Sequence, residues 1–255
     1  MKTSTSKRLR WNVAIWLAAG LFMTSTAGMA SGPILPDPKA EARHHPQIEE
    51  TANGIPLVNI TAPSSGGVSR NEYEMFNVPD KGAILNNSYT LSKTELAGYV
   101  PGNNNMAERP AKIIVNEVTG TGSTSMDGFL EVAGNRADVV IANPNGITVN
   151  GGGFINTGKA FLTTGKPVYD GEDHLQRFDI TGGDILIEGK GLGGKETESL
   201  AILSRAVKIN AGIWAEDLHI TTGANTVDAK TLEASAIEGK GGRPAFALDL
   251  SLIHI

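Results

Sequence analysis

Several groups of side chains in this 255-residue sequence have the types that could do chemistry. Asp170-Gly171-Glu172-Asp173-His174 sets three carboxylates and an imidazole within five residues, a density that would suit a hard cation or an acid–base pair. A calcium loop, however, needs roughly six to eight oxygen ligands on a spaced Asp/Asn ladder. That ladder is missing here, and Asp-Gly is a turn pair, so the segment reads as a polar hairpin tip. His44 and His45 are adjacent without other ligands nearby and read as solvated rather than metal-binding. Asp127, Glu131 and Asp138 offer carboxylates for glycoside cleavage, which needs two at a defined separation. No spacing singles out a pair, and the chain has no nucleophile motif and no phosphate loop. The expectation is no catalytic residue, no metal and no cofactor.

The turn Asn143-Pro144-Asn145-Gly146-Ile147 carries more information. Pro144 fixes φ at the second turn position, and Asn145 with Gly146 tolerates positive φ after it. Asn143 can cap the turn through its side-chain oxygen. Two roles fit: a corner that folding requires, and a surface turn that a partner recognises. They are not exclusive.

These residues sit among strands. From Ile55 onward, β-rich pieces of four to six residues alternate with Gly, Asn, Asp and Thr, for example Lys112-Ile113-Ile114-Val115 and Asp184-Ile185-Leu186-Ile187. Such runs call for an all-β fold, and only residues 92–99 could make a short helical turn. In residues 199–222, apolar side chains at Ala201, Leu203, Val207, Ile209, Ile213, Leu218 and Ile220 mark three or four short pieces. One to three residues separate them. Those gaps are too short for most hairpins but suit corners, so the pattern predicts a parallel β-helix. Ile185, Ile187, Leu203 and Ile209 are expected to point inward, and Trp214, opposite Ile213, outward. An open coil end exposes strand edges and needs an N-terminal cap, for which residues 55–100 are the candidate.

The N-terminus reads as an export signal. Lys2, Lys7, Arg8 and Arg10 precede an apolar run over residues 11–23 and a small-residue stretch ending at Ala30, the secretory pattern. The apolar core falls short of the ~20 residues of a membrane span. Removal of residues 1–30 takes four of the 22 basic residues and leaves 18 against 27 acidic ones. That balance, without basic runs, argues against nucleic acid. Residues 31–52, with Pro33, Pro36, Pro38 and Pro46, read as a flexible leader. With no cysteine, stability must come from burial and backbone ladders, which also suits a chain that crosses a membrane unfolded.

The ordered blocks of the chain resemble the secretion domain of two-partner-secretion exoproteins, the filamentous haemagglutinins and contact-dependent inhibition toxins. The resemblance rests on Gly54-Ile55-Pro56-Leu57-Val58-Asn59-Ile60, Gly82-Ala83-Ile84-Leu85-Asn86-Asn87, Asn116-Glu117-Val118-Thr119-Gly120 and Ala137-Asp138-Val139-Val140-Ile141-Ala142 running into residues 143–147. Gly153-Phe154-Ile155-Asn156-Thr157 continues the series. The resemblance implies a right-handed single-stranded parallel β-helix over residues 53–249, with an N-terminal β cap and flanking hairpins. It further implies export by the Sec machinery, then recognition by the POTRA domains of an outer-membrane barrel transporter. Residues 143–147 would be the recognition or folding turn, and Asn86, Asn87, Asn116 and Gly120 secondary motif positions. Cargo downstream, an adhesin, haemolysin or toxin, would meet a host or neighbouring cell surface.

Two departures stand out. Residues 148–153 lack the cysteine pair of many toxin relatives, which leans toward the haemagglutinin side. The family's second turn, Asn-Pro-Asn-Leu, is absent in that form, and either residues 103–106 or residues 116–119 occupy its place. The other functional readings are a free-standing carbohydrate-binding adhesin and a polysaccharide-active enzyme. The apolar end, residues 250–255, has no polar capping piece and is expected to be non-native.

Overall fold

The computed structural model describes residues 32–250 apart from Glu108, Lys195 and Arg243. The expected export signal and all but the first residue of the expected non-native tail lie outside the described residues.

One turn of the coil runs through Phe129–Gly134, Ala137–Ala142 and Ile147–Val149, with a corner after each. The next runs through Gly152–Ile155, Thr157–Thr163 and Asp184–Ile187, and a third through Leu192–Gly194, Ser199–Ser204 and Ala206–Ile209. Equivalent strands pair in parallel. The result is a parallel β-helix with two seven-stranded faces and one five-stranded face. The three or four pieces expected in residues 199–222 are four strands, Ser199–Ser204, Ala206–Ile209, Ile213–Ala215 and Leu218–Thr222.

The interior is built in columns, because parallel pairing sets like positions on top of one another. Ile141, Leu162, Ile202 and Ile220 are stacked in register on the first face. Met126, Val149, Ile187 and Ile209 do the same on the third. Burying each such aliphatic side chain is worth about 1.5–3 kcal/mol as an upper estimate. Ile185, Ile187 and Ile209 are inward as expected. Leu203 is buried but points the other way. Ser199–Ser204 is apolar on both sides, Leu200 and Ile202 facing in and Ala201 and Leu203 facing out. A four-stranded antiparallel sheet (Lys166–Tyr169, Leu175–Ile180, Asn225–Asp228, Ala234–Ala236) covers that outer side with Phe178, Ile180 and Val227.

Two expectations near the N-terminus need correction. Residues 31–52 do not read as a loose leader in the structure. Ile34–Pro36 pairs antiparallel with Val68–Phe76, and Gln47–Glu50 with Pro56–Asn59, with a 3-10 turn at Ala42–His44 between them. These two antiparallel strands close the coil's first edges, so the cap begins before residue 55. Within 55–100, Pro56–Asn59, Val68–Phe76 and Ala83–Asn87 already pair in parallel as rungs. Residues 92–99 form no helical turn either. Ser92–Thr94 and Gly98–Val100 make a hairpin. Gly98 takes φ +70°, and Thr94 Oγ1 donates to the Gly98 carbonyl at 2.8 Å, which closes the loop locally.

Candidate functional site

The turn at residues 143–146 is a corner of the coil after Ala137–Ala142. Gly146 N–H donates to the Asn143 carbonyl at 3.1 Å, closing a β-turn. Asn143 Oδ1 accepts the Asn145 N–H at 2.9 Å, the Asx contact expected of that position. The Asn143 carboxamide also donates to the Gly122 carbonyl and Thr124 Oγ1, both at 3.0 Å. Asn145 Nδ2 reaches the Gly120 carbonyl at 2.8 Å. Both asparagines therefore clamp the corner of the preceding rung. Gly146 adopts φ +116°, and a Cβ there would lie 3.0 Å from the Asp184 carbonyl oxygen of the following rung. Asn143, Gly146 and Ile147 are buried, whereas Pro144 and Asn145 face solvent. The expected site residues 143–147 thus divide into a buried anchor and an exposed tip.

The same turn occurs a second time, at residues 103–106. Met106 N–H donates to the Asn103 carbonyl at 3.1 Å, and Asn103 Oδ1 accepts the Asn105 N–H at 2.9 Å. Asn103 Nδ2 donates to the carbonyls of Ile60 and Asn86 at 2.9 Å. Asn105 Nδ2 reaches the Ile60 carbonyl at 3.1 Å. Asn103 is buried and Asn104 exposed, as Asn143 and Pro144 are. Of residues 103–106 and 116–119, the first have the turn geometry. Asn116 is in the strand Ile113–Val118. The signal that identifies this pair of turns is the Asn-x-Asn spacing followed by a buried fourth residue.

The secondary motif positions do different work. Gly120 joins the main turn as the carbonyl held by Asn145, and a Cβ there would meet the Glu74 carbonyl oxygen at 2.0 Å. Asn86 joins the second turn through Asn103 and donates to Asn59 Oδ1 at 2.8 Å. Asn87 grips Ala111 from both ends of its carboxamide. Asn116 faces into the coil, donating to the Val140 carbonyl at 3.2 Å and accepting the Tyr73 hydroxyl at 3.0 Å. The carboxamides of Asn87 and Asn116 use both nitrogen and oxygen and hold neighbouring rungs together, whereas Asn86 is engaged through its nitrogen and its buried Oδ1 has no partner. Asn71 and Asn156 make similar contacts, although neither was among the expected site positions.

Of Asp127, Glu131 and Asp138, the last two are occupied structurally. Glu131 accepts the N–H groups of Glu95 and Leu96 at 2.7 and 2.9 Å, fixing the hairpin over residues 92–100. Asp138 accepts the Lys159 N–H at 2.8 Å. Burial raises both carboxyls above their usual range. Asp170 accepts the N–H groups of Glu172 and His174, and the segment is the tip of the hairpin Lys166–Tyr169 with Leu175–Ile180. Among the described residues no group of three or more His, Cys, Asp or Glu is arranged to hold a metal. His44, read as solvated, is instead buried, its Nδ1 lying 3.1 Å from Glu72 Oε1. Arg70 Nη2 bridges Glu72 at 2.8 Å and Glu117 at 3.2 Å and stands over the Tyr169 ring. The register explains this burial, because Glu72 pairs with Glu117 on adjacent strands beneath the outer hairpin.

Fold and corners together define a capped single-chain β-helix whose rungs are cross-linked by asparagine. The TPS secretion domain family matches residues 33–249, and the chain belongs to that family, whose exoproteins are secreted to the surface or surroundings of Gram-negative bacteria. Over 224 residues it is 45% identical to "Toxin CdiA" of Yersinia pestis, covering 87% of this chain and 7% of that protein. It is 44% identical over 225 residues to "16S rRNA endonuclease CdiA" of Enterobacter cloacae, with the same coverage. The chain therefore spans less than a tenth of the length of these relatives. The crystal structure of a filamentous haemagglutinin secretion domain superposes with a TM-score of 0.78 at 32% identity, covering 86% of this chain and 73% of that one. The leaning toward the haemagglutinin side, drawn from the cysteine-free residues 148–153, finds no support in these identities, which are higher for the toxins.

Proposed function

We propose that this chain is the address and the folding nucleus of a larger exported protein. The signal at residues 1–30 delivers it through the Sec machinery. In the periplasm the POTRA domains of a cognate outer-membrane barrel transporter bind it. At the surface the coil forms first here and templates the rest of the exported protein. It acts by being recognised and by folding, and not by catalysis. The downstream region, an adhesin or toxin, meets the host or neighbouring cell. The observation that carries this reading is the split character of the Asn143 corner. A buried anchor locks two rungs, and an exposed tip at Pro144 and Asn145 is available to a partner.

The test is secretion of the tagged chain from cells with and without the co-expressed transporter. Transporter-dependent appearance of folded, protease-resistant domain in the medium is expected. Equal release without the transporter would overturn the proposal.

A further inference from the structure

On the outward side of the second face, one register row reads Phe129, Gly153, Gly193, Trp214 across four neighbouring strands. With strands about 4.8 Å apart, the two aromatics stand about 14 Å from each other along the row. Neither ring is packed under a hairpin; Phe129 is 42% and Trp214 53% exposed. Both rest on glycine. A Cβ on Gly153 would meet Phe129 Cε1 at 2.4 Å, and Cβ atoms on Gly191 and Gly212 would come within 3.0 Å of the Trp214 ring. A Cβ on Gly193 would lie 3.5 Å from the Phe129 ring. A side chain at Gly153 would displace the Phe129 ring and one at Gly191 or Gly212 would press on Trp214, while a Cβ at Gly193 would make ordinary contact and a longer side chain there would fill the floor between the rings. The row therefore holds two aromatic plates with a depression of about 440 Å³ beside them, and Glu95 and Glu196 stand at its rim.

We propose that this row is a binding site for an uncharged, gluco-configured oligosaccharide. Large exposed aromatics are normally withdrawn from water, and a shallow patch of them marks a binding surface. Sugar rings with equatorial substituents present flat C–H faces that stack on such plates, and their hydroxyls lie in the ring plane, where a carboxylate rim accepts hydrogen bonds. A strictly apolar peptide would gain nothing from the exposed Glu95 and Glu196, and a sulfated or uronic glycan would be repelled by them. An adjoining polar depression shares Glu95, Ile155 and Glu196 and adds Lys93 and Asn156, which lengthens the groove for further sugar units. The site lies apart from the corner at residues 143–146 and does not depend on transporter recognition.

Trp11 and Trp16 fall within the expected signal, so Trp214 is the single tryptophan of the processed chain and reports on its own site. The experiment titrates the secreted chain with cellohexaose and with chitohexaose, following tryptophan emission. A saturable change with at least one of the two is expected. Phe129→Ala should weaken it about tenfold, Gly193→Val should abolish it, and Glu95→Gln with Glu196→Gln should weaken it while leaving thermal unfolding unchanged. Isothermal titration of Trp214→Phe, which keeps a plate, should retain binding that Trp214→Ala loses. The proposal is overturned by any one of three results. These are no saturable response to either glycan up to about 10 mM, full binding by Gly193→Val, and heparin or an extended apolar peptide binding in preference to both.

Discussion

Asn145 donates its side-chain amide to the Gly120 carbonyl at 2.8 Å, joining two corners that are 25 residues apart in sequence. The contact works only because Gly120 packs without a side chain against Glu74. Gly120→Ala should destabilise the domain by about 3 kcal/mol through overpacking. Gly122→Ala, where a Cβ meets nothing within 4 Å, should be neutral within about 0.5 kcal/mol. Urea unfolding of the two variants makes the comparison; equal midpoints would show that this corner is not tightly packed.

Asn143→Ala removes donors to Gly122 and Thr124 and the acceptor for Asn145 in one step. Leaving buried partners unpaired should lower stability by about 2–3 kcal/mol. Asn103→Ala should show a loss of the same order, because its contacts repeat the pattern. Asn104→Ala, at the exposed tip, should change stability by less than about 0.5 kcal/mol. Thermal unfolding followed by far-ultraviolet circular dichroism separates them.

Export should follow the same division. Asn143→Ala and Gly146→Ala are expected to reduce transporter-dependent secretion strongly, and Asp173→Ala hardly at all. Asp173 pairs with Arg43 at 2.9 Å in a partly exposed position, and such pairs contribute about 0–1 kcal/mol. Secreted yield against total expression is the readout. Equal loss in all three would deny the corner any particular part in export.

His44 should make the cap sensitive to acid. Burial, helped by Arg70, holds its imidazole below the usual value of 6.5, against the pull of Glu72; Arg43 and Asp173 act in the same two senses more weakly. A depressed imidazole contributes stability that is complete above about pH 6.5 and is lost as pH falls toward the folded-state value. Glu117, raised above 4.5 by burial, works in the opposite direction at pH above 4.5, so a matched variant is needed. His44→Gln should flatten the fall in urea midpoint between about pH 7 and 5.5. An unchanged slope would mean that His44 does not titrate in this range.

Much of this architecture was legible because a coil repeats its demands. Short apolar pieces such as Ala206–Ile209 and corners rich in Gly and Asn occur at each turn, so the pattern survives without a strict period. The features that escaped depend on a second layer. Leu203 was expected inside, but its strand is apolar on both sides and nothing local says which side faces the coil, since the covering strand Asn225–Asp228 arrives later in the chain. The same holds for residues 31–52. Their prolines suggest irregular chain, but Ile34–Pro36 gains order from the free edge of Val68–Phe76. At the site, Asn143 was recognisable from turn chemistry. Asn103 was ambiguous because Pro and Gly, the usual markers, are replaced there by Asn104 and Met106.

The outer antiparallel sheet imposes an order on assembly. Each rung needs only the rung before it, so the coil can grow in step with a chain arriving from its N-terminal end. Leu175–Ile180, however, pairs with Asn225–Asp228, and the strands between them build rungs of the coil. In a chain that emerges N-terminus first, as the proposed export requires, the hairpin at residues 166–180 keeps one edge unpaired until residues 225–228 have followed. Its closure is a long-range stitch laid over finished rungs, a latch that sets only after the thread beneath it has been wound.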